Sequence, residues 1–119
     1  MKNIVIIDDE IEIASMIEKF LSKSGNYHIK TYNNPLTALE SIKEDVDVVL
    51  LDIMMPQMGG LEVLEKLKKK YPKMNIIMMT AYSTLDKVLD SHRHGAVHYL
   101  MKPFKSLGEI SAKIEEITA

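Results

Sequence analysis

VVLLD, residues 48–52, is a continuous apolar run that ends in an aspartate. A second apolar run near the N-terminus ends in Asp8 and Asp9, and a third, close to the C-terminus, ends in Lys102. An uninterrupted apolar run of this length is typical of a strand that is covered on both faces of a parallel sheet. If the three runs are parallel strands, their carboxyl ends lie at one edge, which is where open sheets of this kind bind ligands. The three acids and the lysine are therefore candidate site residues.

Apolar runs of strand length alternate along the whole chain with amphipathic segments of helix length. The predicted strands are Ile4–Ile7, Tyr27–Tyr32, Val46–Leu51, Asn75–Thr80 and Val97–Met101. The predicted helices are Glu10–Ser24, Pro35–Lys43, Leu61–Tyr71, Leu85–His94 and Leu107–Thr118. Regular alternation of strand and helix is typical of repeated right-handed crossovers. We therefore predict an α/β fold with a parallel sheet between two layers of helices.

The composition restricts both the architecture and the class of function. The chain has 119 residues, of which 46% are hydrophobic and 27% charged, and these values are typical of one globular domain. A net charge of −2 gives no basic surface for direct nucleic-acid binding, and the absence of cysteine excludes thiol chemistry. No segment has the pattern of a signal peptide or a membrane span. We expect one domain over residues 1–119, without an output domain, in the cytoplasm.

The acidic segment Asp8-Asp9-Glu10 follows the first predicted strand. One aspartate at this place is explained by capping of the next helix, since its carboxylate accepts backbone N–H groups and complements the helix dipole. Three consecutive acids exceed what a cap requires, and they repel one another unless a cation lies among them. A hard divalent ion with oxygen ligands, most plausibly Mg²⁺, removes that repulsion.

Three further strand ends carry a polar residue. Asp52 precedes a loop rather than a helix, so capping explains it less well, and a carboxylate beside a metal ion serves as ligand or as nucleophile. Thr80 lies too early to cap the following helix, and its hydroxyl is able to donate to an oxyanion. Lys102 is either a solvated charge or the cation that balances the carboxylates, and an ammonium group commonly pairs with phosphate.

The chain resembles a bacterial response-regulator receiver domain along its whole length. The motifs that carry this resemblance are Asp8-Asp9-Glu10, Leu51-Asp52-Ile53-Met54-Met55-Pro56 with Gly59-Gly60, Met79-Thr80-Ala81, and Lys102-Pro103-Phe104. The resemblance implies a flavodoxin-like, doubly wound sheet of five parallel strands in the order 2-1-3-4-5, with five flanking helices. It also implies transfer of a phosphoryl group from a phosphohistidine on a partner protein to an aspartate of this chain.

The resemblance assigns a role to each strand-end residue. Asp52 is expected to accept the phosphoryl group. Asp9 and Asp52 are expected to bind Mg²⁺ directly together with the backbone carbonyl of Met54, while Asp8 acts through water. Such a domain catalyses its own phosphorylation and slow dephosphorylation and does not turn over an external substrate.

The resemblance also implies a conformational switch. Lys102 is expected to pair with the phosphoryl oxygens, and the hydroxyl of Thr80 to turn toward them. Movement of Thr80 leaves space that the ring of Tyr99, on the fifth strand, then fills. The alternative for Tyr99 is an ordinary half-buried strand tyrosine without a switching role.

A docking surface is expected beside the acidic residues. Helical spacing predicts that the first helix packs on the core through Ile13, Met16, Ile17 and Phe20. That arrangement leaves Ile11 nearly opposite the core and Ala14 on the flank, close to Pro103 and Phe104 of the neighbouring loop. A single exposed isoleucine is common and often has no role. We favour a patch that contacts the helices of a sensor histidine kinase or histidine phosphotransferase.

Several other functions remain to be weighed. A flavodoxin-like electron carrier needs a phosphate-binding loop where this chain has two acids, and a haloacid-dehalogenase-type phosphatase needs Asp-x-Asp where the two acids here are adjacent. A pseudo-receiver that binds proteins without phosphorylation is the remaining alternative, against which the set Asp9, Asp52, Thr80 and Lys102 argues. A few residues after Thr80 favour a phosphorelay subtype, and binding of a downstream target protein in the manner of chemotaxis receivers stays open.

Overall fold

Five parallel strands form a single sheet at the centre of the computed structural model, which describes residues 1–80, 98–102, 104 and 106–118. The strands lie in the order β2-β1-β3-β4-β5, as the resemblance predicted. Their bounds are β1 Lys2–Ile7, β2 Tyr27–Tyr32, β3 Val48–Asp52, β4 Asn75–Thr80 and β5 His98–Met101. β3 begins two residues later than expected and includes Asp52 as its last residue, and β1 begins two residues earlier than expected.

Four helices lie within the described residues. They are α1 Ile11–Ser22, α2 Pro35–Ser41, α3 Gly60–Lys70 and α4 Gly108–Thr118. The predicted helix Leu85–His94 lies outside the described residues. Local chemistry sets the observed ends: Oδ1 of Asn34 accepts the Leu36 N–H at 2.8 Å before α2, and Gly25 after α1 has a φ of 72°, which favours glycine.

Each face of the sheet carries its own apolar core, which explains the continuous apolar runs in β1, β3 and β4. One face packs against α2 and α3, and its fully buried residues are Ile7, Ala38, Val49, Leu51, Val63, Leu64, Ile76 and Met78. The other face packs against α1 and α4, and its fully buried residues are Ile6, Ile17, Val48, Leu50, Ile77, Met79, Ile110 and Ile114. Side chains alternate between the two faces along each strand, so the face toward which the residue after each strand points is also set.

The buried face of α1 differs from the predicted one. Ala14, Ile17 and Leu21 are buried, whereas Met16 is 42% exposed. The prediction that Ala14 lies on the exposed flank is therefore wrong, because this side chain is only 2% exposed and packs into the core. An alanine at this place allows α1 to approach the sheet, and the bulkier Met16 is turned toward the surface.

The strand register brings the predicted site residues to one edge. Ile7 of β1 lies opposite Leu51 of β3, so the following residues, Asp8 and Asp52, are neighbours on the same face. Thr80 of β4 lies opposite Met101 of β5. The carboxyl ends of these four strands therefore meet at one edge, as the apolar runs indicated.

Candidate functional site

Three carboxylates converge at the carboxyl edge of the sheet. One oxygen from each of Asp8, Glu10 and Asp52 lies within 4.8 Å of the others. Asp8 is completely buried and Asp52 is 3% exposed, while Glu10 is exposed. An arrangement of buried carboxylates is unfavourable without a compensating cation, so it requires a partner of positive charge.

Lys102 is that partner in this structure. Its Nζ atom lies 2.7 Å from Oδ2 of Asp8, 3.0 Å from Oε1 of Glu10 and 3.5 Å from Oδ1 of Asp52. The side chain reaches these acids from β5, across the end of β4, and the residue is only 7% exposed. Its backbone N–H donates to the carbonyl of Thr80 at 2.8 Å, which fixes the start of the side chain against β4.

Asp8 has a structural and an electrostatic role at once. Its Oδ1 accepts the backbone N–H of Glu10 at 2.9 Å, just before α1, and its Oδ2 accepts from Lys102. Its backbone carbonyl accepts from Nδ2 of Asn33 at 3.1 Å. This bond holds the N-cap residue Glu10 rather than an N–H of α1, which has no side-chain cap, so the capping expected of an aspartate here is not observed. The second carboxylate oxygen of Asp8 is left for the site.

The pKa values of both Asp52 and Lys102 are raised in this buried site, for different reasons. Burial, together with the negative charge of Asp8, raises the pKa of Asp52 from 3.8 to about 7, although Lys102 opposes this. Burial by itself lowers the pKa of Lys102, but hydrogen bonds to Asp8 and Glu10 outweigh it, and the pKa rises. A cation bound beside Asp52 would therefore favour the ionised form of this carboxyl.

Only some of the predicted metal ligands belong to the group of converging carboxylates. Asp9 is half-buried and contributes to the raised pKa of Asp52, but the compact group of three oxygens contains Glu10 instead. Sequence reasoning gave Glu10 no role, although its place as the third consecutive acid was the available signal. Met54 has an exposed side chain in the loop after β3, two residues beyond Asp52. The donors that converge are all oxygen atoms, the type that Mg²⁺ prefers.

The two predicted switch residues share one face of the sheet. Tyr99 lies opposite Met78, and Thr80 is two residues further along β4, so both side chains point to the α2 and α3 side. Thr80 is fully buried, and the ring of Tyr99 packs against the core on that face. The buried hydroxyl of Tyr99 has no hydrogen-bond partner among the described residues, and burial raises its pKa.

An apolar groove lies between α1 and the loop after β5. Its volume is about 260 Å³, and the residues that line it are Ile13, Met16, Lys102, Phe104, Ser106 and Leu107. Ile11, at the first turn of α1, is 66% exposed, and Phe104 is half-buried. Pro103, the remaining member of the predicted docking patch, lies outside the described residues.

None of the helices in the described part of the chain has the length and apolar character to cross a membrane.

Known proteins share both the sequence pattern and the fold. The family model for the response regulator receiver domain matches residues 4–115. The transcriptional regulatory protein ZraR of Klebsiella oxytoca is 38% identical over 102 residues, which cover 85% of this chain and 23% of that protein. The DNA-binding transcriptional regulator NtrC of Proteus hauseri is 38% identical over 115 residues, which cover 95% of this chain and 24% of that protein. The chain therefore spans about a quarter of the length of these two relatives.

A solved receiver domain has nearly the same backbone. The BeF3-activated receiver domain of DrrB, a response regulator of Thermotoga maritima, superposes with a TM-score of 0.90 at 27% identity. The match covers 99% of this chain and 97% of the DrrB domain. It confirms the predicted flavodoxin-like, doubly wound architecture.

Proposed function

The chain belongs to the family of response regulator receiver domains, and we propose that it accepts a phosphoryl group on Asp52 in a two-component or phosphorelay signalling system. One observation carries this proposal: the buried carboxylates of Asp8 and Asp52 lie side by side within reach of the buried ammonium group of Lys102. Phosphoryl transfer needs mainly positioning and neutralisation of negative charge, and this edge of the sheet offers both.

Asp52 acts as the nucleophile of the proposed reaction. A carboxylate oxygen forms a bond to phosphorus while the P–N bond of a donor phosphohistidine breaks, and the electron pair of that bond returns to the imidazole. Asp52 reacts in its ionised form, which its raised pKa makes less abundant near neutral pH. The ammonium group of Lys102, 3.5 Å from Oδ1 of Asp52, is placed to pair with an oxygen of the attached phosphoryl group.

A divalent cation would balance the negative charge of the carboxylates that Lys102 alone does not balance. Mg²⁺, when bound, would supply positive charge to the carboxylates and to the phosphoryl oxygens. We assign its protein ligands to Asp9, Asp52 and the backbone carbonyl of Met54, with Asp8 acting through water. Glu10 is an additional oxygen donor at this edge, and it also competes with the phosphoryl group for Lys102.

Thr80 and Tyr99 form the proposed switch. Thr80 ends β4, and its backbone carbonyl accepts from the N–H of Lys102, so this residue lies at the same carboxyl edge as the phosphorylation site. Tyr99 shares its face of the sheet, and its unpartnered buried hydroxyl gives the ring no polar contact that holds it in place among the described residues. A shift of Thr80 toward the phosphoryl group therefore changes the space available to the ring of Tyr99.

The groove beside α1 is the proposed contact for the phosphoryl donor. Lys102 lines the groove and also contacts the acids, so an apolar side chain in the groove lies next to the reacting group. Phe104 lines this groove, and the exposed Ile11 lies on α1, which contributes Ile13 and Met16 to it. The occupant is a helix of a sensor histidine kinase or histidine phosphotransferase, and a downstream target protein binds the phosphorylated domain. We propose that this domain acts in the cytoplasm, without direct contact to nucleic acid or membrane.

Labelling with a small phosphoryl donor tests the proposal without a partner protein. The purified chain is incubated with acetyl phosphate and Mg²⁺, and its intact mass is recorded with and without a chelator. We expect the mass of one phosphoryl group on the wild type, no gain for Asp52→Asn, and no gain in the chelator. Asp45→Asn is the matched control, because Asp45 is an exposed aspartate that precedes β3 rather than following it.

The opposite outcome has an equally clear meaning. A wild-type chain that gains no phosphoryl group, while a known receiver domain is labelled in parallel, would make this chain a pseudo-receiver that binds proteins without phosphorylation. Equal labelling of Asp52→Asn and the wild type would place the acceptor at another residue.

A further inference from the structure

Helix α3 begins after two consecutive glycines whose surroundings are opposite. A Cβ atom built on Gly59 meets nothing within 4 Å. A Cβ atom built on Gly60 lies 2.2 Å from the backbone oxygen of Asp52 and 2.6 Å from the Cα atom of Ile53. Heavy atoms do not approach so closely, so a side chain at position 60 forces the backbone to move.

The atoms that meet this Cβ belong to Asp52, the last residue of β3, and to Ile53, which follows it. They are backbone atoms, which cannot rotate away as the end of a flexible side chain does. The N–H of Gly60 also donates to the carbonyl of Ile53 at 2.8 Å, which joins the first residue of α3 to the residue after Asp52. Helix α3 thus rests directly on the end of β3.

Helix α3 itself has little freedom to retreat. Its inner face carries Val63, Leu64 and Leu67, all of which are almost completely buried against the sheet. Alanine is a better helix former than glycine, so helix propensity does not explain a glycine at position 60. The close approach to Asp52 and Ile53 does explain it.

We propose that Gly60 is a positioning residue for Asp52: the absence of a Cβ lets α3 fix the backbone that carries the phosphoacceptor carboxylate. This inference rests on the proposed role of Asp52 in phosphoryl transfer. Relief of a 2.2 Å contact requires a displacement of about 1 Å, and misplacement by that amount costs roughly a hundredfold in a reaction that depends on alignment.

Three glycine-to-alanine variants separate positioning from stability. Gly60→Ala carries the proposed defect, and Gly59→Ala is its neighbour in an open site. Gly25→Ala strains a left-handed turn with a φ of 72° that lies after α1, away from the carboxyl edge. We expect acetyl phosphate with Mg²⁺ to label Gly60→Ala roughly 10- to 100-fold more slowly than the wild type. Gly59→Ala and Gly25→Ala are expected to stay within about twofold of the wild-type rate.

A binding measurement reports on the same geometry without phosphorylation. Calorimetric titration with Mg²⁺ is expected to give a dissociation constant about tenfold weaker for Gly60→Ala, and unchanged for the other two variants. If Gly60→Ala is partly unfolded, both measurements are repeated in trimethylamine N-oxide, which favours the folded state. A defect that persists in the refolded variant supports positioning, whereas recovery of the wild-type rate and affinity would overturn it.

The two proposals fail in different ways. A wild-type chain that is never labelled contradicts the phosphoacceptor role of Asp52, and the Mg²⁺ affinities of the three variants then decide the role of Gly60. If the wild type is labelled, and Gly60→Ala and Gly59→Ala have equal labelling rates and equal Mg²⁺ affinities, only the proposed role of Gly60 is overturned.

Discussion

Nζ of Lys102 lies 2.7 Å from Oδ2 of Asp8, although 94 residues separate the two in the sequence. Both side chains are almost completely buried, so each provides the charge that the other needs in order to remain ionised away from water. Oδ1 of Asp52 lies 3.5 Å from the same ammonium group. The pair therefore determines the electrostatic environment of the proposed phosphoacceptor.

Substitution of either member of this pair is expected to move the pKa of Asp52, in opposite directions. Asp8→Asn removes a neighbouring negative charge that raises the pKa of Asp52, so that pKa should fall from about 7. Lys102→Met removes the positive charge that lowers it, so the pKa should rise. Titration of the carboxyl carbon of Asp52 by NMR, in the absence of divalent cations, measures both shifts. Shifts of the same sign in the two variants would show that charge is not their cause.

The pH dependence of stability is expected to differ between the wild type and Asp52→Asn. The pKa of Asp52 is about 7 in the folded chain and 3.8 as its ordinary value, so the unfolded chain releases this proton at lower pH. Between these two values the wild type loses stability relative to Asp52→Asn as the pH rises. Above the folded pKa, the stability of the wild type relative to Asp52→Asn should have fallen by a few kcal/mol from its value at low pH.

Urea unfolding in a chelator, at a series of pH values, measures that difference. A stability difference that does not change between the two pKa values would mean that Asp52 ionises as freely in the folded chain as in the unfolded one. Asp45→Asn serves again as the control, since this aspartate is exposed and precedes β3 rather than following it.

Tyr99→Phe is expected to stabilise the chain slightly. The hydroxyl of Tyr99 is buried without a hydrogen-bond partner among the described residues, and burial of an unsatisfied hydroxyl costs about 1–3 kcal/mol. Its removal should therefore raise the free energy of unfolding by about 1 kcal/mol, since phenylalanine keeps the ring contacts with the core. Chemical denaturation measures the change. Destabilisation by a similar amount would reveal a polar contact for this hydroxyl and would weaken its role as the mobile part of the switch.

Ile11→Asp is expected to weaken phosphoryl transfer from a protein donor and to leave labelling by acetyl phosphate unchanged. The side chain of Ile11 is 66% exposed on α1, the helix that contributes Ile13 and Met16 to the groove, so a charge there opposes docking without disturbing the core. Leu36→Asp is the matched control, because Leu36 is also exposed, at 49%, but lies on α2, which contributes no residue to the groove. The ratio of the labelling rate with the protein donor to the labelling rate with acetyl phosphate separates docking from chemistry. If this ratio is the same for Ile11→Asp and Leu36→Asp, a contact at Ile11 is excluded.

The parallel sheet and the main site residues were predictable from sequence because two independent patterns agree, whereas the strand order followed from the resemblance to receiver domains. Continuous apolar runs mark strands that are covered on both faces, and polar residues at their ends mark the shared edge, so Asp8, Asp52, Thr80 and Lys102 were placed correctly at that edge. The face of α1 was misjudged at Ala14, because hydrophobicity favours Met16 for the core whereas close packing on the sheet favours the smaller side chain.

Two features of the site depend on distances that no sequence pattern records. Glu10 joins the cluster because the start of α1 turns its side chain toward Lys102, which approaches from the other end of the chain. Gly60 is distinguished from Gly59 only by its distance to the backbone of Asp52. Contacts of this kind arise when elements far apart in sequence pack together, so the sequence could name both residues without assigning their roles.

Reductive trapping tests the central claim, that Asp52 is the phosphoacceptor, most directly. The chain is incubated with a phosphorylated histidine kinase and Mg²⁺, and sodium borohydride then reduces any acyl phosphate to an alcohol, which converts a phosphorylated aspartate into homoserine. Peptide mass spectrometry locates the modified residue. The account predicts homoserine at position 52 and unmodified aspartate at positions 8 and 9; homoserine at either of those positions, with Asp52 unmodified, would contradict it.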